Sequence, residues 1–90
     1  MVSIVRMYTT TWCPDCRRAK HFLALHGVCF EEINIEESAG AAEFVMTTNQ
    51  GRRCVPTFEI DGRTFHCSPY DPEKLTRELG LPAQNGGQSR

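Results

Sequence analysis

Trp12-Cys13-Pro14-Asp15-Cys16 stands directly after the β-type run Val2-Ser3-Ile4-Val5-Arg6-Met7-Tyr8 and directly before the basic segment Arg17-Arg18-Ala19-Lys20. Pro14 suits the first turn of a helix, where its missing N–H costs nothing. A sulfur at the start of that helix meets unpaired backbone N–H groups, whose partial positive charge favours a thiolate. The second thiol follows about one helical turn later and can close an intramolecular disulfide. Strand, turn, two cysteines and helix together read as a dithiol–disulfide pair.

The remaining elements can be placed outward from that motif. The strand covers residues 2–8, and the helix runs on to residue 26 with Ala19, Phe22, Leu23 and His26 on one face and Gly27 as its stop. Residues 28–35 read as a second strand, parallel to the first because a helix separates the two. A second helix spans residues 38–49, with Ala41, Phe44, Val45 and Thr48 inward and Gly51 beyond its end. Residues 55–60 and 63–67 form a hairpin around Asp61-Gly62. In two-residue register Ile60 faces Arg63 and Pro56 faces Cys67. Asp71 caps a last helix that starts at Pro72, carries Leu75 and Leu79 inward and ends before Gly80. The order β-α-β-α-β-β-α predicts an α/β fold with a four-stranded mixed sheet and helices on both faces. Residues 1–82 are read as one domain and 83–90, polar and glycine-rich, as a disordered tail.

Ninety residues make one modest core, and a formal charge of −1 offers nothing to nucleic acid or an anionic membrane. The apolar runs are too short to span a bilayer. No basic stretch precedes a long apolar one at the N-terminus, so the expected location is cytoplasmic. The five cysteines, Cys13, Cys16, Cys29, Cys54 and Cys67, are an odd number, against a fully paired framework. Twelve residues separate Cys54 from Cys67, where a zinc knuckle has about two to four, and His21, His26 and His66 lack ligand spacing. No bound metal is expected. Cys29, Cys54 and Cys67 read as small apolar fillers. For Cys54 and Cys67 an auxiliary thiol role is the alternative.

The chain resembles the glutaredoxin branch of the thioredoxin fold over nearly all of residues 2–81. The resemblance rests on Tyr8-Thr9, Cys13-Pro14-x-Cys16-x-x-Ala19-Lys20, Asn34-Ile35 and Arg53-x-Val55-Pro56-Thr57. Tyr8-Thr9-Thr10 followed by Trp12-Cys13, with Ala42-Glu43-Phe44-Val45, is similar to mycoredoxin-type glutaredoxins, which serve a different low-molecular-weight thiol. Two places depart from the usual pattern. Thr10 stands where a lysine is usual, and His66-Cys67-Ser68-Pro69-Tyr70-Asp71 replaces a Gly-Gly pair followed closely by Asp.

Family membership implies a thiol–disulfide oxidoreductase in which Cys13 attacks and Cys16 resolves. It implies a cis bond before Pro56 that sets the Val55 backbone beside the Cys13 sulfur, open to an incoming peptide. The substrate-binding set is Tyr8, Trp12, Pro14, Arg53, Val55, Pro56, Cys67 and Ser68. Either Arg52 or Arg53 can offer a thiol peptide's carboxylate a bidentate partner. The expected partners are disulfide-containing proteins and small thiols, with glutathione or another low-molecular-weight thiol as co-substrate, no bound cofactor and a monomeric state. The alternatives are an electron donor driven by thioredoxin reductase, of the ribonucleotide-reductase type, and a glutaredoxin that binds an iron–sulfur cluster between two subunits.

Overall fold

A computed structural model describes residues 4–52 and 54–81; Arg53 and the expected tail at 83–90 lie outside the described residues, as do positions 2 and 3 of the first expected strand. The chain runs β1 (Val5–Thr9), α1 (Pro14–Leu25), β2 (Phe30–Asn34), a 3-10 turn (Ile35–Glu37), α2 (Ala39–Thr48), β3 (Thr57–Ile60), β4 (Arg63–His66) and α3 (Pro72–Leu79). The strands assemble in the order β2-β1-β3-β4. β1 pairs in parallel with β2 (Val5 opposite Phe30, Thr9 opposite Asn34) and antiparallel with β3 (Val5 opposite Ile60, Tyr8 opposite Thr57). This is the mixed four-stranded sheet expected from the sequence.

β1 is the axis of the fold because alternate residues feed two separate cores. Met7 packs with Ala19, Phe22 and Leu23 of α1, Phe58 of β3 and Leu75 of α3. Tyr8, one residue on, packs with Ile35 and with Ala41, Ala42 and Val45 of α2. Helices α1 and α3 therefore cover one face of the sheet and α2 covers the other. Val55, just before β3, touches both clusters.

Local chemistry sets the boundaries. The α1 helix closes with Gly27 at φ +67°, with Val28 N donating to Leu23 O at 2.9 Å and Gly27 N to Ala24 O at 3.2 Å. That use of the Val28 N–H explains why β2 starts at Phe30 and not at 28. It ends at Asn34, whose Oδ1 accepts from Glu36 N at 2.8 Å and turns Ile35 into the 3-10 turn. Ser38 caps α2 by accepting from Ala41 N at 3.2 Å. Its buried face is Ala41, Ala42 and Val45, with Phe44 and Thr48 only half-buried.

The hairpin register is the one expected. Ile60 lies opposite Arg63. Cys67 N donates to Pro56 O at 2.9 Å, although β4 itself ends at His66. Asp61 (φ +52°) and Gly62 (φ +82°) form the mirror-image turn that matches strand twist. Asp71 Oδ1 accepts from Glu73 N and Lys74 N at 3.1 and 3.3 Å, capping α3 as its sequence implied. The Val55–Pro56 peptide is cis, and so is Ser68–Pro69.

Phe58 is fully buried between α1 and α3 and stacks on Phe65 at 5.1 Å between ring centroids. Phe58→Ala is expected to cost about 3–5 kcal/mol in a denaturant titration. Leu25→Ala, on the exposed side of α1, is expected to stay within about 0.5 kcal/mol.

Candidate active site

The C-terminal ends of β1 and β2 point to the same edge of the sheet, as parallel strands must, and the chemistry gathers there. Thr10 to Trp12 turn the chain out of β1, and Cys13 becomes the N-cap of α1 with extended backbone (φ −91°, ψ 112°). Its sulfur accepts from Cys16 N at 3.0 Å, the bond that a serine or aspartate cap would make. The same sulfur lies 3.8 Å from Val55 O.

The two thiols differ in environment. Cys13 is 7% exposed, at the wall of an open cleft, whereas Cys16 is 1% exposed and part of the core. Burial pushes the Cys16 thiol up to about 12, its contact with Cys13 adds to this, and the Thr10 backbone and Lys20 oppose it. Cys16 therefore stays protonated in the dithiol form at neutral pH.

The cleft holds about 280 Å³ and is lined by Thr10, Trp12, Cys13, Pro14, Asp15, Glu36, Val55 and Ser68. Of the residues expected from the sequence it brings together Trp12, Cys13, Pro14, Val55 and Ser68. Trp12, 70% exposed, stands beside the sulfur with its ring in solvent. The others lie elsewhere. Tyr8 is buried under α2, its ring 5.0 Å from Phe44 and its hydroxyl donating to Glu59 Oε1 at 3.2 Å. Pro56 is buried. Cys67 is also buried, its thiol accepting from Asp71 N at 3.1 Å and donating to Asp71 O at 3.3 Å. Burial raises its pKa. Arg53 lies outside the described residues. Arg52 lines a second cleft of about 280 Å³ with Thr48, Asn49, Gln50, Cys54 and His66. Cys29 is exposed, not a filler.

Three lining residues were not in the expected set: Thr10, Asp15 and Glu36. Thr10 and Asp15 adjoin the motif, so proximity alone could have named them. Glu36 carries no local signal. It reaches the cleft because β2 runs parallel to β1, so the segments after Thr9 and Asn34 emerge side by side. Asn34 Nδ2 donates to Thr11 Oγ1 at 2.9 Å, and Thr11 N to Glu36 Oε1 at 3.5 Å, tying the two segments together. A larger cavity, about 440 Å³, lies at the opposite edge among Val5, Val28, Ile60, Arg63 and the end of α3. No cysteine lines it, so size does not mark the reactive site here.

The sequence model of the glutaredoxin family matches residues 5–65, from β1 into β4. A Mycobacterium tuberculosis protein named as a glutaredoxin is 40% identical over 66 residues, covering 72% of this chain and 79% of that one. Mycoredoxin 1 of Corynebacterium glutamicum is 32% identical over 76 residues, 84% of this chain and 94% of its own. Among solved structures, the glutaredoxin-like NrdH-redoxin of Escherichia coli superposes with a TM-score of 0.72 at 26% identity, covering 90% of this chain and 99% of that one.

The environment of Cys16 has a measurable consequence. In a Cys13→Ser variant, alkylation of Cys16 by iodoacetamide, followed by peptide mass mapping, is expected to rise about tenfold per pH unit between about pH 7 and 10. A raised pKa keeps the unreactive thiol form dominant throughout that window, so no plateau is reached; a plateau below about pH 9 would contradict the burial argument.

Proposed function

The chain belongs to the glutaredoxin family, and from that membership we propose how its residues divide the work of a thiol–disulfide oxidoreductase. The Cys13 thiolate attacks one sulfur of a substrate disulfide; that S–S bond breaks, one half leaves as a thiol, and the other stays bonded to Cys13. Cys16 then loses its proton and attacks the Cys13 sulfur. The second half leaves as a thiol, and Cys13–Cys16 is now the disulfide. Two electrons pass from protein to substrate. Two molecules of a small thiol, glutathione or another of low molecular weight, return them and become a disulfide.

One observation carries this division: the Cys13 sulfur accepts the Cys16 N–H at 3.0 Å and faces a cleft, while the Cys16 side chain is buried behind it. The sulfur at the cleft wall is the one a substrate can reach. The buried one is kept protonated, and so silent, until a mixed disulfide forms. The Val55 carbonyl beside Cys13 suits an extended peptide, and Trp12 and Pro14 cover the flanks. Ser68 closes the far side. We assign disulfide-containing proteins and small mixed disulfides as substrates, a monomeric state, a cytoplasmic location and no resident cofactor.

A second reading concerns the electron donor. The cleft around Cys13 carries Thr10, Asp15 and Glu36 and no basic residue among its described lining. Thr10 stands where a lysine is usual, and a donor such as thioredoxin reductase is the alternative to a small thiol. The Escherichia coli structural neighbour is described as having a thioredoxin-like activity profile.

Reduction of a small mixed disulfide, run in parallel with glutathione plus its reductase and with thioredoxin reductase, separates the donors. Cys13→Ser is expected to lower turnover at least about 1,000-fold. Cys16→Ser is expected to accumulate a mixed disulfide that intact-mass measurement detects. Full activity in Cys13→Ser would falsify the assignment.

A further inference from the structure

The charge around Cys13 points to a substrate preference. We propose that the cleft selects disulfide substrates bearing a cationic group next to the reacting cysteine, with Glu36 as the specificity-determining residue. The proposal rests on the redox role assigned to Cys13.

Two observations carry it. Two carboxylates line the cleft, Asp15 and Glu36, and no lysine or arginine does among the described residues. The two carboxylates are not equivalent. Asp15 Oδ1 is met by Arg18 Nη1 at 3.2 Å, so much of its charge is answered. Among the described residues the Glu36 carboxylate meets only the Thr11 backbone N–H at 3.5 Å, a long contact from a neutral donor, and Glu36 lines the cleft. Glu36 can accept hydrogen bonds, and an ammonium or guanidinium supplies donors to it.

The other basic groups among the described residues lie off the lining of this cleft. Lys20 is held by Glu32 at 3.1 Å, on the β2 side of the helix. Arg52 lies in the separate cleft that contains Cys54 and His66. Glu36 is exposed, so solvent weakens its field. The expected effect is correspondingly moderate and depends on salt.

The test uses three short peptides that differ only beside their cysteine, carrying Lys, Gln or Glu, each as the mixed disulfide with β-mercaptoethanol. Fully reduced protein is mixed with each, and the second-order rate of thiol release is measured. At low salt the Lys peptide is expected to react about three- to tenfold faster than the Glu peptide, with Gln between them. The span should shrink to within about twofold in Glu36→Gln and at high salt. Equal or reversed rates in the unaltered protein overturn the preference while leaving the redox role intact. A span that survives Glu36→Gln overturns the assignment to Glu36. If all three peptides are inert, the redox role of Cys13 falls and takes the preference with it.

Discussion

A single contact organises the reactive end of this molecule: the Cys13 sulfur takes the N-cap position of α1 and accepts the Cys16 N–H at 3.0 Å. A helix start needs an acceptor there, because its first N–H groups have no partner within the helix. Using a thiol as that acceptor ties the reactive atom to the helix backbone. The requirement that builds the helix also fixes the sulfur relative to Val55 and the cleft. It also sends Cys16, one turn on, into the core instead of toward solvent. The asymmetry between the two thiols is thus a property of helix geometry.

That helix start is held in place by β1. Met7 and Tyr8 anchor one strand in two cores, so the end of β1 is immobilised from both faces of the sheet. The turn that follows inherits this rigidity. Polar bonds across the β1–β2 edge reinforce it, with Thr9 Oγ1 donating to Glu32 at 2.8 Å and Asn34 Nδ2 to Thr11 at 2.9 Å. Cys67 supports the site from behind. It bonds to Pro56 through its backbone and to Asp71 through its thiol, which links the loop after β4 to the start of α3.

Most of the architecture was legible because its signals are local. Asp61-Gly62 specifies a mirror-image turn through backbone conformations that other residues resist. Asp71-Pro72 and Gly80 bracket α3 through cap chemistry. The strand ends were less legible, because one N–H or carbonyl decides them. Val28 spends its N–H on the α1 cap, and Ile35 enters the turn that Asn34 caps. On α2, alternation of small and large residues left the inner face ambiguous, and Ala42 took the buried place that Phe44 was expected to hold. Tyr8 shows the same limit at the site. A tyrosine at a strand end suits either face, and only packing against Phe44 and the bond to Glu59 put it under α2.

By itself the sequence determined the order of elements, the hairpin register and the two cysteines that define the family's chemistry. All of these depend on neighbours within a few residues. The tertiary structure decided which groups surround Cys13. Glu36 lies more than twenty residues away along the chain and arrives only through the parallel pairing of β1 and β2. The pairing of Asp15 with Arg18 and the burial of Cys16 are likewise set by what the folded chain brings alongside. Covalent chemistry depends on residue type and so can be read from a string. The electrostatics that choose a partner fall off with distance through space, and only the fold sets those distances.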